Sequence, residues 1–367
     1  MKLLVDARYT RIGFHDGISR YTASLLKALY ELQQNNDSLT HDVQLAMIIS
    51  DERQLPMLPE LPYIKICSPT SILEPLAAVM INKYAPDVVF SPMQTIGSWR
   101  RKFGLILTLH DLIYYSHPTP PSFLPRPIQW GWRIFHTSYT PQRILLNRAD
   151  AVVTVSETTR RLIIKHRLTR RPLTVVPNAA PVQETTSSLA PASQPSKDLL
   201  YMGAFLPYKN VELLIKMAEL LPEYTLHLLS KIDPRRLHEL QKISGDNVTF
   251  HNGISDDKYR KFLAYSTALL TASRDEGYGL PVVEAMAAGC PVVISDISIF
   301  HEIAPGAAHC SPDDAQAFAQ AVRELEKPGA RVQAQLQGYE DAALFDWHHS
   351  AKTLLKVANQ VHQKKSR

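Results

Sequence analysis

Short apolar runs alternate with stretches of helical spacing along almost the whole chain. In the first half, runs at 3–5, 43–49, 88–90, 105–109, 151–155 and 173–176 read as buried strands. Between them, residues 18–32 and 158–166 repeat apolar positions every three or four residues, the period of a helix with one buried face. After residue 198 the pattern starts again. Strand-like runs at 199–202, 224–229, 248–250, 268–271 and 291–295 are interleaved with helical patterns at 211–220 and 283–288, and a last helix near 350–361 has no strand after it. Apolar strands alternating with helices predict parallel, doubly wound sheets, and hence an α/β fold.

Composition divides this pattern in two. Residues 179–197 are rich in Pro, Ser, Thr and Ala, as linkers often are. The expected layout is a Rossmann-like domain at 1–180, a linker at 181–197, a second Rossmann-like domain at 198–345 and a terminal segment at 346–367. Two such domains predict a ligand cleft at the carboxyl ends of their strands. A chain of 367 residues with 45% hydrophobic and 20% charged positions can bury a core in each.

Charge is uneven. Residues 1–180 hold 21 Lys+Arg against 13 Asp+Glu, or +8, and the remainder hold 19 against 22, or −3, which together give the net +5. A basic first half suits an anionic partner or a merely solvated surface. Cys67, Cys290 and Cys310 are odd in number and lack C-x-x-C spacing, which speaks against a disulfide framework or a zinc site and fits a cytoplasmic protein. The apolar start at residues 3–5 is interrupted by Asp6 and reads as a strand, not a signal peptide. No run approaches 18 apolar residues, so no membrane span is expected.

The most informative stretch is residues 274–295. A strand ends near Ser273, a glycine-bearing loop follows, and Pro281 stands where a helix would open, a position that needs no N–H. Gly289 ends that helix. The loop 276–280 would then present backbone N–H groups at a helix start, a natural place for a phosphate, with Gly277 and Gly279 allowing close approach. Glu276 and Glu284 would repel a diphosphate, so each is expected to face a hydroxyl-bearing part of a ligand, one a sugar ring and the other a ribose. Read alone, they also suit an exposed loop acid and an ordinary helix residue.

Glu276, Gly277-Tyr-Gly-Leu-Pro281 and Glu284-Ala-Met-Ala-Ala-Gly289 resemble the E-x7-E signature of retaining glycosyltransferases with the GT-B fold, in the wording of glycosyltransferase family four. Further blocks resemble the same family in order along nearly the whole chain. They are Asp6-Ala-Arg8 with Asp16-Gly-Ile-Ser-Arg-Tyr21, Thr108-Leu-His-Asp-Leu112, Val155-Ser-Glu157, Val176-Pro-Asn178, Gly203-Ala-Phe-Leu-Pro-Tyr-Lys-Asn210 and Phe345-Asp-Trp347.

The resemblance implies two Rossmann-like domains facing across a cleft, with the donor mainly in the second and the acceptor mainly in the first. It makes Glu276 the holder of the donor sugar and Glu284 the holder of the ribose. Lys209, Gly203 and the stretch Gly277, Tyr278, Gly279 and Leu280 would take the diphosphate, with Lys209 stabilising the leaving charge. His110 would border the reacting hydroxyl, and Asp16, Gly17 and Arg20 would form an acceptor or phosphate loop. Segment 346–367 would be a crossover helix packing back on the first domain. Many relatives carry an arginine after the glycine and another basic residue before the lysine; here Ala204 and Tyr208 stand there, so Lys209 works alone or Arg274 helps.

Arg8, Arg11 and Arg20 suit an anionic acceptor group or plain surface charge. His110-Asp111 lacks further ligands at metal-binding spacing, and there is no D-x-D motif, so neither a metal nor a bound cofactor is expected. Residues 117–148 interleave Trp130, Trp132, Phe135 and Tyr139 with Arg126, Arg133, Arg143 and Arg148 among several prolines. That suits a membrane interface, a helix packed on the core, or, less well, nucleic acid.

The expected activity is hexosyl transfer, mannose favoured, from GDP-mannose or a UDP-hexose to a glycan or polyprenyl-diphosphate-linked acceptor. It would be metal-independent and cytoplasmic, with peripheral membrane contact and no nucleic-acid partner. A non-catalytic nucleotide- or carbohydrate-binding protein, or a nucleotide-sugar epimerase of the same fold, is the alternative.

Overall fold

A computed structural model describes residues 1–120, 126–180 and 196–366. The chain divides into two compact units, Met1–Asn178 with Asp346–Arg367, and Ala179–Phe345. Of the expected linker, only Ser196 and Lys197 are among the described residues.

In the first unit the apolar runs become seven parallel strands: β1 (Lys2–Asp6), β2 (Gln44–Ile49), β3 (Tyr63–Lys65), β4 (Val88–Ser91), β5 (Gly104–Leu109), β6 (Ala151–Thr154) and β7 (Leu173–Val175). Their order in the sheet is β3-β2-β1-β4-β5-β6-β7. The winding direction reverses between β1 and β4, where such sheets open a ligand crevice at their carboxyl edge. Strands β4, β5 and β6 are buried along their whole length, because helices cover both faces.

The helix Gly17–Gln34 starts where the Asp16 carboxylate accepts from the Ser19 N–H, and it buries Tyr21, Leu25, Leu26 and Leu29. The terminal helix Trp347–Ser366 packs on it and on β5. Its approach is so close that a Cβ on Gly104 would lie 2.4 Å from Val361 Cγ1. Ser350 Oγ also donates to the Pro177 carbonyl at 2.8 Å.

The second unit repeats the design with β8 (Asp198–Tyr201), β9 (Thr225–Leu228), β10 (Val248–Phe250), β11 (Ala268–Thr271), β12 (Val292–Ser295) and β13 (Ala308–Cys310), in the order β10-β9-β8-β11-β12-β13. Its reversal lies between β8 and β11. A core of Leu199, Leu226, Leu270, Val293, Leu214 and Phe318 joins the sheet to its helices. Strands β3 and β13 are not evident from the apolar pattern: each is a three-residue edge strand carrying a polar residue, Lys65 or His309, whereas the edge strands β7 and β10 have apolar residues at both ends. Among the described residues no helix is long and apolar enough to cross a membrane.

Candidate functional site

In the second unit the chemistry gathers at the reversal between β8 and β11. The turn Pro207–Lys209 follows β8, and the loop carrying Glu276 follows β11. Lys209 Nζ meets Glu276 Oε1 at 2.5 Å, with their side chains 14% and 13% exposed. The same oxygen accepts from Ser273 Oγ at 2.8 Å. Two latches hold the loops together. The Arg274 N–H donates to the Tyr208 carbonyl at 2.8 Å, and Asn210 Nδ2 donates to the carbonyls of Ala272 at 3.1 Å and Pro312 at 2.7 Å. Asn210 supports this with a left-handed backbone, φ 56°, which Asn tolerates better than most residues.

The helix Leu280–Ala287 opens at Gly279, whose φ of 99° favours glycine. A Cβ there would lie 2.8 Å from Phe300 Cε1 and 3.1 Å from Ile303 Cδ1, two side chains of the helix Ser298–Ile303 that back the turn. Leu280 is the first helical residue, so Pro281 takes the second position, one beyond the expected place, where its missing N–H still leaves no intrahelical bond unmade. Glu284 lies one turn after Leu280 on the same side of the helix and is buried.

Gly203 follows β8, and its N–H donates to Ser230 Oγ at 3.0 Å. The Tyr278 ring turns inward, edge-on to Phe345 with centroids 5.9 Å apart, and burial pushes its phenol well above the usual range. What Tyr278 offers a ligand is therefore its main chain. Arg274, considered as a helper for Lys209, is paired instead with Asp313 at 2.5 Å on an exposed surface.

In the first unit, Asp16, Tyr21 and His110 come together where β1 and β5 end. Tyr21 stands edge-on to His110 at 5.1 Å and 5.9 Å from the Trp347 ring. His110 Nε2 donates to the Pro92 carbonyl at 2.7 Å, which leaves Nδ1 as the ring's acceptor. Burial lowers its pKa to about 4, with the Pro92 carbonyl and the Asp16 charge opposing, so the ring is neutral at ordinary pH. A Cβ added to Gly17 would touch nothing within 4 Å, so the space above this turn is open. Arg20 sits in the first turns of the same helix, half-buried.

The neighbouring arginines differ in role. Arg8 is buried and bound to Asp6 at 2.8 Å and to Glu74 at 2.9 Å, which makes it part of the scaffold, while Arg11 pairs with Asp16 at 2.6 Å in solvent.

Pro121 and Pro125 of the aromatic and basic segment lie outside the described residues. In the helix Arg126–His136 two of the three readings of that segment, core packing and an exposed interface, divide by face. Trp132 packs against Tyr114 at 4.9 Å and His136 against Tyr115 at 5.1 Å, whereas Trp130 is 69% exposed.

Ser273 and Asn210 are site residues that spacing alone passes over. Asn210 directly before an apolar helical run is a visible capping signal, yet its side chain reaches across to the next loop instead of capping its own helix. Among the described residues, Asp296, His301 and His309 form a grouping with ligand-type atoms within 4.8 Å of one another; two of the three are exposed, and Asp296 and His301 already bind each other at 2.6 Å.

Comparison with known proteins covers both units. Residues 15–184 match the family described as Glycosyltransferase Family 4, and residues 184–339 match Glycosyl transferases group 1. The chain is 28% identical over 230 residues to the O-antigen chain mannosyltransferase RfbU of Salmonella typhimurium, covering 60% of each. It is 26% identical over 197 residues to the GDP-mannose:cellobiosyl-diphosphopolyprenol alpha-mannosyltransferase of Komagataeibacter xylinus, covering 49% of each. The matches thus span half to three fifths of these relatives. Among solved structures, sucrose-phosphate synthase from Thermosynechococcus elongatus superposes with a TM-score of 0.71 over 99% of both chains at 20% identity. Anabaena HepE in complex with UDP-glucose superposes with a TM-score of 0.71 at 16% identity, over 98% of this chain and 100% of that one. At such identities the likeness speaks for the fold.

Proposed function

Because the chain belongs to the family 4, group 1 glycosyltransferases and has their GT-B fold, we propose that it transfers a hexose from a nucleotide diphosphate sugar to a hydroxyl of a glycan or lipid-linked glycan, with retention at the anomeric carbon. The observation that carries this reading is the Lys209–Glu276 pair at the β8/β11 reversal, beside the Gly279 turn. An ammonium group has three N–H donors. One meets Glu276, and two are left for diphosphate oxygens, whose negative charge grows as the bond to the sugar breaks. The backbone of residues 277–280 adds N–H groups at a helix start. Glu276 Oε1 is held by Lys209 and Ser273, which orients Oε2 toward a hydroxyl of the donor sugar. Glu284 takes the ribose.

In the reaction, the acceptor oxygen forms a bond to the anomeric carbon while the bond from that carbon to the diphosphate breaks. The acceptor proton passes to the departing phosphate oxygen on the same face, which yields retention. Neutral His110 borders the reacting centre and can accept at Nδ1 from a neighbouring sugar hydroxyl, so the reacting proton stays available to the phosphate. Asp16, Gly17 and Arg20 border the acceptor. Lys209 and the helix start supply the charge that a metal would otherwise provide, so the reaction needs neither metal nor bound cofactor.

Mannose is the favoured sugar and GDP-mannose the favoured donor, supported by the names of the Salmonella and Komagataeibacter relatives; a UDP-hexose is the second choice. A polyprenyl-diphosphate-linked acceptor would bring the protein to the cytoplasmic membrane face as a peripheral enzyme.

The test incubates the purified full chain with a panel of nucleotide sugars and reads slow donor hydrolysis and thermal shift. GDP-mannose is expected to give the largest response, and it should persist in chelator. Glu276→Ala should abolish turnover and leave GDP binding within a few-fold; loss of GDP binding together with the fold would mean the residue is structural. An inverted product or a trapped glycosyl-enzyme would overturn the same-face mechanism.

A further inference from the structure

The helices Thr140–Asn147 and Glu157–Lys165, with the loop entering β7, enclose an open groove of about 1080 Å³ in the first unit. Four arginines line it, Arg143, Arg167, Arg170 and Arg171, and no carboxylate does so among the described residues. Ile144 and Ile164 form apolar walls, 63% and 56% exposed. Residues 126–171 contain ten Lys+Arg against only Asp150 and Glu157. Asp150 is bound to Arg101 at 2.6 Å and Glu157 to Arg160 at 3.0 Å, so neither offsets the groove.

The guanidinium groups are partly pre-set. Arg143 donates to the carbonyls of His166 at 2.8 Å and Arg167 at 3.2 Å, and Arg171 donates to the Asn147 carbonyl at 2.8 Å. Four like charges in one groove repel each other, and an anion with several oxygens relieves that repulsion through charge-assisted hydrogen bonds.

The exposed isoleucines narrow the class of anion. A sugar nucleotide or a free phosphate has no use for them, whereas a phosphate headgroup with hydrocarbon beneath it matches both. Aromatic packing connects the groove to the neighbouring helix. A chain of ring contacts runs from Trp132 and His136 through Tyr115 and Tyr139 to His166, with successive centroids 4.0, 5.1, 4.3 and 4.3 Å apart, the first tilted, the second edge-on and the last two stacked. They link the groove to the helix Arg126–His136. On that helix Arg126, Trp130, Arg133 and Ile134 are spaced i, i+4, i+7 and i+8, so they share one face, and all four are exposed. A face with an exposed indole, aliphatic side chains and arginines suits the headgroup layer of a bilayer. The groove lies toward the amino ends of β6 and β7, whereas His110 follows the carboxyl end of β5. It is therefore separate from the site already described.

We propose that this groove holds the phosphate headgroups of acidic phospholipids and docks the first unit on an anionic membrane surface through the exposed face of the helix Arg126–His136. The inference rests on the peripheral-membrane part of the proposed function and gives it an address and a lipid charge.

The test is co-sedimentation of the full chain with vesicles of phosphatidylcholine alone or mixed in equal parts with phosphatidylglycerol, alongside donor hydrolysis without lipid. Binding is expected to the mixed vesicles only and to fall as salt rises. Each groove arginine removed should lower partition roughly fivefold, so Arg167→Asn with Arg170→Ser should lower it roughly 25-fold. Asn is chosen at 167 because that residue has φ 51°. Trp130→Ser should weaken binding less, and none of these changes should alter donor hydrolysis.

Equal binding to neutral vesicles, or wild-type binding by the double variant, would overturn the proposal. So would a thermal shift with inorganic phosphate but no vesicle binding, which would mark a free-phosphate site. Loss of donor hydrolysis in the double variant would also overturn it, by tying the groove to the reaction. Should the wild type bind mixed vesicles as expected yet act on no nucleotide sugar, the glycosyl-transfer reading fails and the lipid site stands.

Discussion

Each unit ties the segment that follows its first strand into an ion pair, and the two pairs differ in the solvent they keep. In the first, Arg8 is bound by Asp6 and Glu74, with the Arg8 and Asp6 side chains fully sealed from solvent. In the second, Lys209 meets Glu276 with both side chains still reachable. A sealed network of charge has no room for a substrate and acts on stability, because removing one partner leaves the others dry and uncompensated. A pair at the rim of a sheet reversal keeps spare donors and a spare oxygen, and can act on a ligand. The same local chemistry thus becomes scaffold or site according to the access that packing leaves.

Substitutions can break this contrast, and the largest effect is expected at the sealed network. Arg8→Met should cost about 3–5 kcal/mol of stability, read as a lowered midpoint in urea unfolding, because Asp6 and Glu74 lose their cation. Turnover per folded molecule should be little changed. Lys209→Ala should show the opposite signature. Here kcat should fall by about 10²–10³, the usual loss for one donor aimed at developing charge, and the unfolding midpoint should shift little. If Lys209→Ala unfolded the protein and Arg8→Met stopped turnover, the assignment of the two pairs would be reversed.

Gly279→Ala tests the turn beside the Lys209–Glu276 pair. Its φ of 99° and the 2.8 Å approach of Phe300 predict a cost of about 1–3 kcal/mol, expressed mainly as weaker donor binding in a calorimetric titration. The smallest effect is expected at the exposed Arg274–Asp313 pair: Arg274→Ala should change stability by less than about 1 kcal/mol and leave kcat close to wild type. A large loss of kcat there would return Arg274 to the role of helper cation.

Much of this protein can be read along the chain. Seven of the thirteen strands, β1, β4, β5, β6, β8, β11 and β12, are buried at every position or all but one and are mostly apolar, and local hydrophobicity marks such runs without reference to any partner. The edge strands β3 (Tyr-Ile-Lys) and β13 (Ala-His-Cys) escape that signal because a lysine and a histidine interrupt them, whereas the equally short edge strands β7 (Leu-Thr-Val) and β10 (Val-Thr-Phe) keep apolar residues at both ends. The Glu276-to-Glu284 spacing, the glycines between them and Lys209 before a helix are likewise visible as residues.

What spacing cannot carry is direction and depth. Tyr278 stands between the two glycines of the 277–280 loop, yet its ring is buried edge-on to Phe345. Trp130 and Trp132 are two positions apart, which on a helix sends them to opposite sides, one to solvent and one onto Tyr114.

The sequence by itself determined the strand and helix alternation, the division into two α/β units and the identity of the acids and the lysine, because these depend on neighbours within a turn or two. Only the tertiary structure decided that Lys209 meets Glu276 across 67 residues, that Arg8 is sealed, and that four arginines from one helix and a loop share one groove. Those outcomes depend on which strands lie side by side and on how much water each side chain keeps, and both are properties of the folded sheet.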